Sequence, residues 1–375
     1  ISCPMPTARL AQADDRLRAP PASILSSLAL RPICHHTFPM KQKQSPGSSA
    51  PSDQTYSRKL SAIQQRLLAW FRANARDLPW RRTRDPYRIL VSEVMLQQTQ
   101  VDRVIPYYHD FLERFPSVEA LAAAPTAEVI RAWAGLGYNR RAVNLQRTAQ
   151  AVVAQYGGQF PQTVEELRQL PGIGPYTAGA IACFAFEQDV PFVDTNMRRV
   201  LHRLLVGVDV PAPAASDKEL VTLAQQAIPA GQGWEWNQAL IEFGALQCTA
   251  RKPACLVCPL QAECAAFPAI QTALATLPKG VRLKREAPFG GSNRFYRGRV
   301  IDALRQHPPE SQSGLDLHAL GTLVRDDFTA DHMPWLYEVV RGLSKDGLAI
   351  IAEETPEYDA SPAESPAPNV RVRLP

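Results

Sequence analysis

Apolar residues recur at helical spacing along most of the chain between residues 56 and 268. In the segment 56–74 they stand at positions 60, 63, 67, 68, 70 and 71, along one face of a helix. Similar patterns predict further short helices joined by brief turns at 104–115, 117–123, 125–134, 140–156, 164–170, 176–186, 197–201 and 234–246. Alternation typical of strands is almost absent here. The chain is therefore predicted to be mainly α-helical.

One predicted helix carries a carboxylate in an apolar run. Asp85 is a suitable cap and Pro86 a suitable first residue, and we expect the helix to continue to Gln100. Glu93 is the only charged side chain between Ile89 and Leu96. Desolvation would raise the pKa of such a carboxyl group, as a general acid at neutral pH requires. The alternative is a Glu93 side chain that points outward from a partly exposed helix.

A glycine turn, Pro171-Gly172-Ile173-Gly174, separates two predicted helices. Its free N–H groups and the start of the following helix could hold a nucleic-acid phosphate. A plain tight turn between core helices is the alternative. Further on, Asp194 precedes a basic helix, and a capping role alone would explain it. A catalytic role for Asp194 requires a second acid.

Two further features have two interpretations each. Four arginines, at positions 76, 81, 82 and 84, surround Trp80 in a loop; they form either a solvated face or a set of phosphate contacts. In Leu136-Gly137-Tyr138 an aromatic residue ends a tight turn. Tyr138 could enter a base step or could cap a core.

Composition sets wider limits. The chain has 375 residues and a net charge of +5, which permits nucleic-acid binding. No segment approaches ~20 unbroken apolar residues, so we expect a soluble protein. Residues 1–55 and 353–375 are rich in proline and small polar residues and are expected to be disordered. Met5 and Met40 are candidate starts.

Four of the seven cysteines cluster late in the predicted helical region. One C-x2-C pair between two single cysteines suits a [4Fe-4S] cluster better than zinc, which more often uses two short pairs across a longer loop. Disulfides are not expected in a reducing compartment. The predicted metal ligands are Cys248, Cys255, Cys258 and Cys264.

Together these features resemble the MutY-type adenine DNA glycosylases of the helix-hairpin-helix superfamily. The resemblance spans residues 57–268 and depends on SEVMLQQTQV, LGY, LPGIGPYTAGAI, VDTNMRRV and the four-cysteine loop. It implies two helical lobes with the active site between them and an iron–sulfur loop at 248–264.

The resemblance also implies roles at the active site. Glu93 would protonate adenine at N7, and Asp194 would stabilise the cationic sugar. Tyr176 would lie beside the anomeric carbon, and Asn196 would help to hold the carboxylates. Two carboxylates in different environments also cleave glycosidic bonds in sugar hydrolases, and the target base must first leave the base stack.

For the DNA partner, Gln98 would fill the gap in the duplex and Tyr138 would wedge nearby. The other predicted DNA contacts are Arg81, Gly172, Gly174 and Arg198. The partner is double-stranded DNA with adenine opposite 8-oxoguanine or guanine. We expect a monomer located in the bacterial cytoplasm with the nucleoid.

Relatives differ at single positions. Endonuclease III enzymes carry a lysine where this chain has Tyr176, so efficient backbone cleavage through a Schiff base is not expected. Thymine mismatch glycosylases generally lack the glutamate at position 93. A non-catalytic damage sensor is the alternative from another class.

The C-terminal third departs from the family. Where many members have a Nudix-like domain that recognises 8-oxoguanine, this chain has a basic connector at 269–293 and a segment at 294–352. That segment predicts three short helices and a final strand, like a small winged-helix module. It could be a packing domain or an additional contact to the DNA backbone.

Overall fold

The computed structural model describes residues 53–276, 289–307, 314–354 and 369–375. Most of these residues are helical, and no helix among them is long and apolar enough to cross a membrane. In chain order the α-helices are α1 (Asp53–Asn74), α2 (Pro86–Leu96), α3 (Val101–Arg114), α4 (Val118–Ala123), α5 (Thr126–Ala132), α6 (Arg140–Tyr156), α7 (Val164–Leu167), α8 (Pro175–Phe186), α9 (Thr195–Leu201), α10 (Asp217–Ala227), α11 (Gly233–Leu246), α12 (Ala269–Thr276), α13 (Asn293–Gln306), α14 (Leu317–Val324) and α15 (Met333–Lys345). The strands are β1 (Leu315–Asp316), β2 (Ile350–Glu354) and β3 (Asn369–Arg373).

The helices up to α11 form two lobes around one apolar core. In the first lobe α2 packs against α3, α6 and α8, and α4 and α5 pack against α6. In the second lobe α9 packs against α10 and α11, and α11 also packs against α1. Helix α8 is apolar on nearly all sides and contacts both α2 and α11. It therefore joins the lobes, which confirms the two-lobed helical fold expected from the sequence.

The predicted continuation of α2 to Gln100 is wrong. The helix ends at Leu96, and Gln98 has a left-handed backbone with φ of 56°. The physical reason is a long-range partner: the guanidinium of Arg141, on α6, donates to the carbonyl oxygens of Val94, Met95 and Gln97 at 2.7–2.9 Å. These bonds satisfy carbonyl groups that a helix end leaves without partners.

The C-terminal module contains the three predicted helices, α13 to α15, but three strands instead of one. Strand β3 lies between β1 and β2 and is antiparallel to both, with Val372 opposite Leu315 and Ile351. The prediction of disorder from 353 to the end is therefore wrong for residues 353–354, which belong to β2, and for residues 369–375. Val370, Val372 and Leu374 alternate into the module core, and this short alternation was hidden by the proline-rich residues before it.

Two other predicted boundaries also change. The N-terminal extension falls mainly on residues 1–52, which lie outside the described residues, and α1 begins at Asp53. The predicted connector begins as a helix, since α12 occupies Ala269–Thr276 and buries Ile270. The rest of the connector, 277–288, lies outside the described residues.

The module shares its apolar core with the first lobe. Ile130 of α5 and Val143 of α6 belong to the same buried cluster as Val300, Leu336 and Val372. The N–H of Ala127 donates to the carbonyl oxygen of Pro375 at 2.8 Å. The module is thus fixed against α5 and α6, on either side of the turn that carries Tyr138.

Replacing Val372 by aspartate should destabilise this module strongly. The side chain is completely buried, and an unpaired buried charge costs more than about 3 kcal/mol. Urea unfolding and limited proteolysis would measure the loss. Arg373→Asp changes charge on the neighbouring, exposed side chain and is the matched control. Equal stability of the two variants would contradict the central position of β3.

Candidate active site

A cleft of about 630 Å³ lies between the lobes and brings most of the predicted site residues together. Its walls come from α2, from the turn after α2 and from the starts of α8 and α9. The predicted residues that line it are Arg81, Glu93, Gln98, Tyr176, Asp194, Asn196 and Arg198. A pocket of this size can hold a nucleobase with its sugar.

Glu93 is buried, with 7% of its surface exposed, so the outward-facing alternative is excluded. The packing of α2 on α8 places it beside Tyr176, which donates a hydrogen bond to its carboxyl group. Burial raises the pKa of Glu93, the Tyr176 hydrogen bond lowers it, and the charge of Asp194 raises it, giving a pKa of about 7. A carboxyl group with this pKa is partly protonated at neutral pH.

Asp194 caps α9, and its Oδ1 accepts from the N–H of Met197 at 2.6 Å. Burial raises its pKa as well, but several interactions oppose that effect. They are hydrogen bonds from the backbone of Met197, from the backbone and side chain of Asn196, and the charge of Arg199. Because these contacts favour the charged form, the two carboxyl groups have different environments, as an acid and a charged partner require.

Arg199 connects the cleft to the cysteine loop. Its Nη2 donates to Oδ1 of Asn196 at 2.8 Å and to the carbonyl oxygen of Gly244 at 2.7 Å, and its Nε donates to the carbonyl oxygen of Cys248 at 2.8 Å. The asparagine that contacts Asp194 is therefore oriented by an arginine that also binds the backbone at the first loop cysteine.

Arg81 is not placed as a DNA contact, which corrects the prediction. Its three guanidinium nitrogens donate to Gln238, to the carbonyl oxygen of Arg76 and to Glu242 at 2.8–2.9 Å. Burial raises the pKa of Glu242, but hydrogen bonds from Arg76 and Arg81 outweigh it and lower this pKa to about 2. Arg81 therefore supports the wall of the cleft, because each of its guanidinium nitrogens already donates within the protein and its side chain is only 8% exposed.

At the glycine turn the backbone lies too close to a neighbouring side chain for a larger residue at position 172. Gly172 has φ of +81°, and a Cβ there would lie 2.9 Å from the Cβ of Asn144. Gly174 has an ordinary backbone, and a Cβ there would meet nothing within 4 Å. Space thus remains in front of the first turn of α8, whose first N–H groups have no partner within the helix. Arg198, four residues after Asp194, is partly exposed and forms an ion pair with Asp217.

Gln98 and Tyr138, both predicted to enter the duplex, share a strained backbone. Among the described residues only they and Glu187 have positive φ without being glycine. Arg141 binds both turns, since its Nη1 donates to Gln97 and its Nη2 to Leu136 and Gly137. One half-buried guanidinium therefore connects the two turns.

The four loop cysteines are free. Burial raises the pKa of the Cys258 thiol to about 11, and the nearby Cys248, Cys264 and Cys255 add to the rise. Among the described residues no three histidine, cysteine, aspartate or glutamate side chains meet closely enough to hold a single metal ion. The buried Arg203 lies with its Nη1 3.7 Å from Sγ of Cys248. Four thiols with a fixed cation beside them fit an anionic iron–sulfur cluster.

Sequence reasoning missed Arg199 and Arg141. For Arg199 a signal existed, because positions three apart share one face of a helix, and Asn196 lies three residues before it. For Arg141 no local signal exists. Its carbonyl partners Val94 and Met95 are more than forty residues away in the sequence.

Replacing Glu93 by glutamine should stabilise the protein at alkaline pH. The pKa of Glu93 is raised from 4.5 to about 7 on folding, so its stabilising contribution is present below the unfolded value and is lost as pH rises through the folded value. At pH 8 the variant should gain up to about 3 kcal/mol, measured by urea unfolding. The difference should vanish towards acid pH. Glu165→Gln, at an exposed position of α7, is the control, and an equal gain there would contradict the assignment.

Comparison with known proteins supports the geometry. The model of the HhH-GPD superfamily of base excision DNA repair proteins matches residues 91–226, and that of the iron–sulfur binding domain of endonuclease III matches residues 248–264. The second match begins and ends at the outer loop cysteines. It decides between the two cofactors considered, and the cofactor is a [4Fe-4S] cluster.

Individual relatives are close. The adenine DNA glycosylase of Mycolicibacterium smegmatis is 42% identical over 270 residues, covering 71% of this chain and 89% of the relative. The human adenine DNA glycosylase is 44% identical over 217 residues, covering 55% of this chain but only 40% of the relative. A solved thermostable thymine-DNA glycosylase matches 57% of this chain and 98% of its own, with 32% identity and a TM-score of 0.53. Agreement with the bacterial relative over nearly its full length places this chain in the adenine DNA glycosylase family.

Proposed function

We propose that this protein removes adenine paired with 8-oxoguanine or guanine in double-stranded DNA, by hydrolysis of the N-glycosidic bond and without cutting the backbone. The observation that carries the proposal is the buried Glu93, with a pKa of about 7, in one cleft with Asp194. The names of the bacterial and human relatives support adenine as the base.

In this proposal Glu93 in its protonated form gives a proton to N7 of adenine. Protonation withdraws electrons from the glycosidic bond, so the bond breaks and adenine leaves with the bonding pair. Asp194, in its charged form, stabilises the positive charge that develops on the sugar. A water molecule then adds to the anomeric carbon and loses a proton, which completes the hydrolysis.

Neighbouring residues position the two carboxyl groups. Tyr176 donates to Glu93, and Asn196 donates to Asp194 while Arg199 orients it. Since Tyr176 stands where a Schiff-base lysine would be needed, we infer a monofunctional enzyme. The four loop cysteines would hold the iron–sulfur cluster, which would serve as a structural support of the second lobe.

The proposed DNA contacts lie around the mouth of the cleft. Gln98 fills the space that the extruded adenine leaves, and Tyr138 enters the stack beside it. Gly172 and Gly174 allow a phosphate to approach the start of α8, and Arg198 adds positive charge. Their exposed or partly exposed positions support these roles.

Thymine excision is the second candidate, because a thymine-DNA glycosylase shares the fold at 32% identity. Glu93 argues against it. A proton from a buried acid assists the departure of adenine through N7, an atom that thymine does not have.

Single-turnover cleavage of three duplexes tests the proposal: adenine opposite 8-oxoguanine, adenine opposite guanine, and thymine opposite guanine. We expect release of adenine from the first two, with strand breaks only after alkali. The ratio of those two rates measures the preference for 8-oxoguanine. Faster release of thymine would transfer the function to the second candidate, and tight binding without release of any base would indicate a damage sensor.

The rate of adenine release should depend on pH through Glu93. Because the protonated form is active and its pKa is about 7, the rate should fall about tenfold per pH unit above that value. Glu93→Gln should abolish release and still bind the mismatch, and Glu165→Gln should behave as wild type. A rate that stays constant between about pH 6 and 9 would remove Glu93 from the role of acid.

A further inference from the structure

The turn that carries Tyr138 is contacted by the C-terminal module at three places. Nη1 of Arg294, on α13, donates to the hydroxyl of Tyr138 at 3.1 Å. Nη2 of Arg305, also on α13, donates to Oδ1 of Asn139 at 2.8 Å. Asp346 forms an ion pair with Arg140 at 3.5 Å. The module therefore binds three successive residues, 138–140.

The module also contacts residues that flank the turn. Arg305 Nε donates to the carbonyl oxygen of Ile130 at 3.1 Å, where α5 enters the turn. Asp346 also binds Arg297 of α13. The module thus holds the turn through side chains of α13 and through Asp346 at the end of α15, and both helices are fixed by the shared apolar core.

Arg294 supports the ring of Tyr138 as well as its hydroxyl. The guanidinium carbon lies 5.8 Å from the centre of the Tyr138 ring and 5.5 Å from that of the Phe289 ring. The Tyr138 ring nevertheless remains 49% exposed. It borders a groove of about 800 Å³ between the turn and α13. A ring braced on one side and open on the other is suited to enter a stack of bases.

The backbone conformation of Tyr138 requires support from its surroundings. Tyr138 has φ of 47°, a conformation that persists only where the surroundings impose it. Arg141 and Trp133 bind the carbonyl of Gly137 from within the lobe. Arg141 also lies over the Tyr138 ring, with its guanidinium carbon 5.8 Å from the ring centre, but neither Arg141 nor Trp133 forms a hydrogen bond to the Tyr138 hydroxyl. The hydrogen bond from Arg294 therefore adds a support at the outer end of the side chain.

We propose that the C-terminal module is a brace for the Tyr138 turn, and that Arg294 is a positioning residue for extrusion of the target base. The inference rests on the proposed role of Tyr138 as a wedge. It gives the module a role in the reaction through the turn, without requiring it to touch the reacting atoms.

The test separates extrusion from binding and chemistry. Extrusion is followed by the fluorescence of 2-aminopurine placed at the adenine position, and adenine release is timed on two duplexes, with adenine opposite guanine and opposite an abasic site. Arg294→Ala should lower extrusion and the rate on the paired duplex about three- to tenfold, as loss of one such hydrogen bond gives. The rate on the unpaired duplex should change little, because that adenine leaves the stack readily.

Two further variants exclude a merely structural effect. Arg299→Ala removes an arginine from the same helix that contacts Phe295 and the carbonyl of Leu323, and it should match wild type in extrusion. Tyr138→Phe keeps the ring and removes the hydroxyl. If Arg294 acts through that hydroxyl, Arg294→Ala should add less than about twofold in the Tyr138→Phe background.

Three results would overturn the brace: equal losses on the paired and unpaired duplexes, additive effects of the two substitutions, or the same loss in Arg299→Ala. The proposed function is judged apart from it by release of adenine from wild-type protein. Extrusion that depends on Arg294 without any release would keep the brace and reject the glycosylase function. If the wild-type protein extrudes no base, both the brace and the glycosylase function are rejected.

Discussion

The carboxyl group of Glu93 lies where α2 and α8 pack together, and that contact keeps water from it. Its raised pKa results chiefly from this burial, so the chemistry of the cleft depends on how the two helices meet. Helix α8 is built of small and apolar residues that allow close packing; at Gly179 a Cβ would lie only 2.7 Å from Phe192. An apolar contact between helices thereby raises the pKa of a carboxyl group to about 7.

In the second lobe burial also raises the pKa of Asp194, but neighbouring donors and a charge oppose that rise. There the start of α9 supplies backbone donors, and Asn196 and Arg199 add a hydrogen bond and a charge. Because Arg199 also binds the backbone of Cys248, the order of the cysteine loop bears on the orientation of Asn196. The two lobes therefore contribute different electrostatic environments to one cleft. A ligand in that cleft would contact both.

Local patterns were sufficient for some parts of the fold and site. The helices, the buried carboxyl group of Glu93, the glycine turn and the cysteine spacing follow from neighbours in sequence, and the two-lobed fold and the cofactor are confirmed. Features set by distant partners could not be predicted. Arg81 was mistaken for a DNA contact because Glu242, its partner, lies far along the chain; the turn at Gln98 depends on Arg141, and β3 depends on the strands beside it.

The pairing of α1 with α11 has a consequence for how the chain is made. Helix α1 buries Ile63, Leu67 and Phe71 in the shared core and packs against α11. Synthesis at about 5–20 residues per second takes roughly 8–30 s to add the roughly 160 residues between Asn74 and Gly233. During that interval the apolar face of α1 has no final partner. The nascent chain thus exposes this apolar face on the ribosome for much longer than a helix needs to form.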